Sequence, residues 1–417
     1  MPEEIVRGYD PDAPRAARST LDDLKALWGR ANDSVEAKRI EALRPSGVKG
    51  LRSFSLAETC ELLDIHPPAF YEFVTDKPQL QGEKQGQGRF FTLAQINQLR
   101  ALRGHSPRDL HGISRAFCLA IANFKGGVAK TFTASTFAQY LALRGWRVLL
   151  VDLDPQASLS TTFGLNSSDT DDWKTVLPYL YGREFIEADG QTFPKSFRES
   201  IQKTYWDGID LVAANLSLYS GDFYLALRRQ QADGEFPFHR PLADALEDIR
   251  GDYDIVILDT PPSLSLTTTG ALFAADGVLV PTQAELIDYE SARAFIRLAT
   301  EMLEGIGKGF NDTKTFDLFR VLITRYKSTQ ISTAQDILAV FGERCLPEPM
   351  VDSAAVSRQL GDLTTIYEAD PRKPGRAVLK RALSAANDVY GLLEKDIVRV
   401  FEEAAAGHES RTRGYGT

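Results

Sequence analysis

Six short apolar runs, each leading into a stretch of helical character, restrict most strongly how this chain can fold. They are FCLAIANF, RVLLVDLD, IDLVAAN, DIVILDT, GVLVPTQ and FRVLITRY, all beyond residue 116. A strand with one wet face alternates apolar and polar residues, whereas near-continuous apolar runs suit strands covered on both faces by helices. The expected fold class for residues 117–405 is therefore α/β with a mostly parallel sheet. No internal repeat is evident. The polar stretch from Asn166 to Trp206 reads as an insertion over one edge, and nothing in it points to a role.

The first run leads into FKGGVAKTF, Phe124 to Phe132, and then into the helical stretch TFTASTFAQYLALRG. Strand, glycine-bearing loop and helix is the setting in which a phosphate loop is credible. Main-chain N–H groups at a helix N-terminus face the anion, and the helix dipole favours negative charge there. Gly126 and Gly127 let the backbone approach closely. Lys130 suits the β- and γ-phosphates and Thr131 suits Mg²⁺, with Val128, Ala129 and Phe132 completing the cradle. Two further pieces fall where such a site needs them. RVLLVDLDPQ puts Asp152 and Asp154 at the carboxyl end of the next apolar run, and YDIVILDTPPS ends another in Asp259. Open α/β sheets bind ligands at those strand ends. A single Asp often merely caps a helix, but carboxylates ending two apolar runs are harder to attribute to capping.

Composition narrows the remaining choices. With 43% apolar and 25% charged residues the chain is ordinary globular material, and a net charge of −9 argues against a general nucleic-acid sponge. Any DNA contact must come from a local basic patch. Cys60, Cys118 and Cys345 form no CxxC pair, which suits a reducing compartment and disfavours disulfides, zinc and iron–sulfur clusters. The first residues do not resemble a signal peptide, and no apolar run approaches the roughly 18 residues of a membrane span. A soluble, cytoplasmic protein is expected.

Ahead of the α/β region, residues 1–48 carry one helical pattern from Thr20 to Leu43, suited to a surface or to dimerisation. Residues 49–104 read as helix, turn, helix, Gly-rich hairpin and helix, the order of a winged helix-turn-helix, opening with a capping box at Ser55 and Glu58. There His66 and Tyr71 could reach bases, and Lys84 and Arg89 could meet phosphates. The same elements would also serve as a protein-binding module. Residues 105–116 read as a linker and 406–417 as a flexible tail. Near the end, DPRKPGRAVLKRAL gathers Arg372, Lys373, Arg376, Lys380 and Arg381. With Arg325 and Arg358 they suit a surface holding DNA without sequence preference, or equally a solvated charged face. The last helical stretch has an acidic polar face, unlike a basic membrane anchor.

KGGxxKT, VLLVDLDPQ and YDxVILDTPPS together resemble the deviant Walker A, Walker A′ and Walker B motifs of ParA-type partition ATPases, over about Leu119 to Tyr390. With the module in front, the chain is similar to the large ParA proteins of plasmid partition, including the RepA proteins of repABC plasmids. Ala129 stands where glycine is commoner. The resemblance implies a P-loop NTPase fold with ATP and Mg²⁺. It implies that Lys130 holds the chain's own nucleotide while Lys125 reaches a partner's across a homodimer. Asp154 would position the attacking water, Asp152 would tune the same site, and Asp259 would hold Mg²⁺ through water. Thr324 and Val351 would meet adenine, and Pro281, Thr282 and Gln283 would line the nucleotide interface. It implies an ATP-clamped dimer that binds DNA, hydrolysis stimulated by a ParB-like protein, and repression of its own operon. The rivals are a MinD-like membrane-cycling ATPase, a metabolic enzyme on the same fold, and a transcriptional regulator with a vestigial ATPase.

Overall fold

The computed structural model describes residues 21–42, 49–182, 192–352, 364–370 and 377–414. They fall into two compact units, 1–49 and 50–417. The described part of the first is one helix, α1 (Leu21–Ala42), with Asp22 and Asp23 in its opening turn, where carboxylates favour the helix dipole. Its Leu21, Leu24, Leu27 and Trp28 are all exposed.

The second unit opens with β1 (Phe54–Ser55), α2 (Leu56–Leu62), α3 (Pro67–Val74), β2 (Glu83–Gln85), β3 (Gly88–Phe91) and α4 (Leu93–Leu102). Ser55 and Glu58 form the expected capping box on α2, and Thr92 and Gln95 form a second on α4. Pro67 and Pro68 sit in the first turn of α3, where a missing N–H costs nothing. β2 and β3 make an antiparallel hairpin, and β1 completes a small sheet ordered β1-β3-β2. The expected element order is present.

The stretch read as a linker is not a loose connection. Pro107–His111 forms a short helix, α5, whose Arg108 binds Asp254 at 2.9 Å and donates to the carbonyls of Gly251 and Tyr253. His111 stacks on Trp146. One hydrophobic cluster runs from Phe54, Phe70 and Leu99 through Ile113 and Trp146 to Tyr390. The correction has a long-range cause: Asp254 and Trp146 lie far along the sequence and cannot be read from the polar composition of residues 105–116.

Each of the six apolar runs yields a strand: β4 (Phe117–Ile121), β5 (Val148–Asp152), β7 (Ile209–Val212), β8 (Ile255–Asp259), β9 (Gly277–Gln283) and β10 (Leu318–Thr324). β4, β5 and β8 are buried at every position. The sheet order is β10-β9-β4-β8-β5-β7-β6, with all neighbours parallel except the edge pair β6–β7. β6 is the two-residue strand Gln202–Lys203, contributed by the insertion and too short and polar to show as a pattern. The loop after β4 leads into α6 (Lys130–Leu143), buried along most of its length. The long helix Ala377–Gly414 lays Val389, Tyr390, Leu393 and Ile397 into the core. Its Glu394 accepts hydrogen bonds from Tyr140, Arg144 and Trp146, which secures it to the end of α6.

Candidate nucleotide site

β4 stands beside β8, and β8 beside β5, so the loop after β4 and the carboxylates ending the other two strands meet at one edge. Asp152 and Asp259 are register partners at the ends of β5 and β8. Above them is a cavity of about 390 Å³, lined by Gly126, Gly127, Ala129, Lys130, Thr131, Phe132 and Asp154, and further out by Thr324, Arg325, Met350, Val351 and Asp352. Its size suits a small-molecule ligand.

Backbone geometry shapes the loop. Gly127 has φ +81° and Ala129 has φ 67°, both left-handed, so the chain curls before α6 starts. Among the described residues, no acceptor meets the N–H groups of Gly126, Gly127 or Val128. Those donors stay available for an anion. Lys130 is 7% exposed, and its ammonium donates to the Lys125 carbonyl at 3.0 Å across the loop. Burial lowers its pKa, while Asp259 and Asp154 pull the other way.

The carboxylates differ in what they do. Asp259 is fully buried, and neither of its oxygens has a well-formed hydrogen bond. Burial, then the neighbouring Asp152, push its carboxyl well above the usual range, and the nearby Thr131 hydroxyl and Lys130 offset only part of this. Such a group calls for a cation. Among the described residues no cluster of three His, Cys, Asp or Glu side chains could hold a metal alone. A divalent ion here would draw most of its ligands from water and phosphate, which is the habit of Mg²⁺. Thr131 and Asp259 fit that role. Asp152 is instead engaged with its own chain. It accepts from the Ser160 N–H at 2.9 Å, the Ser160 hydroxyl at 2.7 Å and the Asp154 N–H at 3.1 Å. Burial still pushes it up to about 7, against the lowering by those bonds. It orients the turn that carries Asp154 into the cavity. Asp154 in turn accepts from the Gln156 N–H at 2.9 Å.

Lys125 does not line the cavity. Its ammonium lies 2.5 Å from Asp288, whose side chain is only 3% exposed, in the first turn of the helix Leu286–Phe310. In the single chain the second lysine is thus tied back in cis. No motif marks Asp288, because its role depends on where β9 delivers the next helix.

Other expected site residues are placed as follows. Val128 is buried and Val351 is exposed at the outer wall. Pro281 is off the cavity: it is buried beneath the loop, and its carbonyl accepts from Asn123 at 2.9 Å. Gln283 donates to the Gly127 carbonyl at 3.0 Å and Thr324 to the Val128 carbonyl at 3.0 Å. Thr282, also buried, donates to the Asp288 carbonyl at 3.1 Å.

Of the residues read as meeting DNA, Arg358, Lys373 and Arg376, with Arg372, lie outside the described residues. His66 occupies the N-cap position of α3 without a side-chain capping bond, Tyr71 is exposed on that helix, and Lys84 is exposed on β2. Arg89 instead turns to the Gln81 carbonyl at 2.8 Å, bracing the hairpin. Arg325 belongs to the nucleotide cavity, with Nη1 3.4 Å from the Gly127 carbonyl; its backbone, at φ 49°, turns it there. Lys380 and Arg381 are exposed on the helix Ala377–Gly414.

Comparison with known proteins agrees with this geometry. Residues 117–309 match a family model described as an AAA domain. The chain is 31% identical over 388 residues to a putative replication protein A of Rhizobium rhizogenes, spanning 89% of this chain and 94% of that protein. It is 31% identical over 266 residues to the chromosome-partitioning ATPase Soj of Thermus thermophilus, covering 63% and 92% respectively. Protein SopA of Escherichia coli K12 matches at 27% over 388 residues, covering 87% and 92%. A solved structure called a partition protein shares the fold over 90% of this chain and 98% of its own, with TM-score 0.63 and 16% identity. A chain similar over nearly its whole length to such proteins, with a two-lysine phosphate loop facing two strand-end aspartates, belongs to the ParA/Soj family of partition ATPases.

Proposed function

We propose that this protein is a Mg²⁺-dependent ATPase of DNA partition, and that ATP clamps two copies face to face into a DNA-binding dimer. The observation that carries this reading is the loop with Lys125 and Lys130, set over Asp154 and the unsatisfied Asp259. The free N–H groups of the loop and Lys130 bind and orient the phosphates. Thr131 and Asp259 hold Mg²⁺, which when bound spreads the charge developing on the phosphoryl oxygens. Asp154 orients the attacking water, and Asp152 keeps that carboxylate in place through Ser160 and the turn between them. Lys125, released from Asp288, reaches the partner's nucleotide and acts in trans as an arginine finger does. Catalysis here is positioning and charge stabilisation, so an unpaired copy is a poor ATPase.

In this reading the dimer holds DNA through basic side chains such as Lys380 and Arg381, without sequence preference and with strong salt dependence. A ParB-like partner stimulates hydrolysis and release, and the module of residues 49–104 binds an operator. Among the described residues no helix is long and apolar enough to cross a membrane.

The test is binding to an arbitrary duplex with no nucleotide, with ADP and with ATP and Mg²⁺, while dimerisation is followed in parallel. Only ATP should give salt-sensitive binding, and Lys125→Ala should lose both that binding and the dimer. Binding indifferent to nucleotide and confined to particular sequences would make the protein a regulator and defeat the two-lysine argument.

A further inference from the structure

Four carbonyls of the phosphate loop are taken by side-chain donors. Lys130 takes that of Lys125. Gln283, with Arg325 beside it, takes that of Gly127. Thr324 takes that of Val128, and Thr133 takes that of Ala129 through both its N–H at 2.9 Å and its hydroxyl at 2.8 Å. The N–H groups that share peptide planes with the carbonyls of Lys125, Gly127 and Val128, those of Gly126, Val128 and Ala129, have no acceptor among the described residues. The two sets are linked, since a peptide plane that fixes its carbonyl fixes its N–H on the opposite side. Were a carbonyl to turn in, a negative dipole would replace a donor facing the phosphates.

We propose that Thr324 is a positioning residue for phosphate binding: it locks the Val128–Ala129 peptide plane and thereby keeps the Ala129 N–H aimed at the anion. Thr324 is the last residue of β10 and is 1% exposed. Its hydroxyl lies 3.0 Å from the Val128 carbonyl and 3.2 Å from that of Thr282, so its only hydrogen is committed within the protein. Gln283 is its register partner at the end of β9, so two adjacent strands present donors to two successive loop carbonyls. The two differ in environment. The bond from Gln283 is exposed and water can replace it, whereas that from Thr324 is buried and water cannot.

The inference rests on the nucleotide-site reading above and gives Thr324 a task different from touching the base. A base contact and a loop brace predict different results when the base is changed. Affinities for ATP and GTP, each with Mg²⁺, are measured for the wild type and for Thr324→Val, Thr324→Ser, Gln283→Leu and Lys130→Ala. Thr324→Val removes the hydroxyl at nearly constant volume. It should weaken both nucleotides by about the same factor, on the order of tenfold, leaving the ATP-to-GTP ratio as in the wild type. Thr324→Ser keeps the hydroxyl and should restore both affinities. Gln283→Leu should lose no more than about threefold, because its carbonyl can turn to water.

A shifted ATP-to-GTP ratio in Thr324→Val would assign the residue to the base and overturn the proposal. So would an unchanged ATP affinity in Thr324→Val, or a Thr324→Ser variant as weak as the valine form. If Thr324→Val proves too unstable to assay, Gln283→Leu carries the test, since any loss there must also leave the base preference unchanged. Lys130→Ala separates the two layers: unchanged ATP binding in that variant defeats the nucleotide-site reading itself, whatever Thr324 does.

Discussion

At the level of single residues, Ala129 is the clearest case of function imposing on conformation. It occupies the left-handed region at φ 67° without the freedom of glycine. An L-residue there costs roughly 1–2 kcal/mol, partly offset because glycine loses more entropy on folding. Ala129→Gly should therefore stabilise the nucleotide-free protein by about 0.5–1 kcal/mol in denaturant titration. An unchanged midpoint would show that the strain is relieved elsewhere. The pair of Lys125 and Asp288 makes a second residue-level prediction. A partly exposed ion pair is worth about 1 kcal/mol. Asp288→Asn, which frees the lysine, should raise ATP-dependent dimerisation by about fivefold in light scattering. A weakened dimer would mean that Asp288 also serves the paired state. Lys130, Thr131, Asp154 and Asp259 were legible because each sits in a short motif ending or following a strand. Asp288, Thr324 and Arg325 were not legible in these roles, because the β9–β10 register carries them to the loop.

Among elements, α6 links the loop to the amino-terminal module. Its first residue is Lys130, and the carbonyl of its last, Leu143, accepts from Arg100 of α4 at 3.0 Å. Arg100 is 5% exposed and also donates to the Leu62 carbonyl at the end of α2, so one guanidinium meets the negative ends of two helices. Burial, then Arg144, lower its pKa to about 10. Gly145, at φ +94°, makes room for it, since a Cβ there would come within 2.7 Å of the Arg100 Cδ. Gly145→Ala should destabilise the protein by about 3 kcal/mol, from backbone strain and disturbed bonds to a buried charge. A loss below about 0.5 kcal/mol would show that Arg100 can move aside freely. None of this joint shows in the sequence as a pattern, because one guanidinium, one glycine and two helix ends meet only on folding.

At the scale of the molecule, residues 50–417 behave as one compact unit with a shared hydrophobic cluster. In scanning calorimetry they should unfold in one transition, with calorimetric and van't Hoff enthalpies close to each other. Two separated transitions would restore the independent domains expected from the polar stretch at residues 105–116. By itself the sequence determined the α/β class, the strands, the helix caps and the loop with its aspartates. These depend on neighbours a few residues apart, where periodicity, capping and strand-end chemistry act locally. Only the tertiary structure decided that the module and the sheet share one core, that Lys125 is held by Asp288, and that Thr324 and Gln283 brace the loop through its carbonyls. Those contacts join residues far apart in the chain, and they come into being only when parallel strands settle into register.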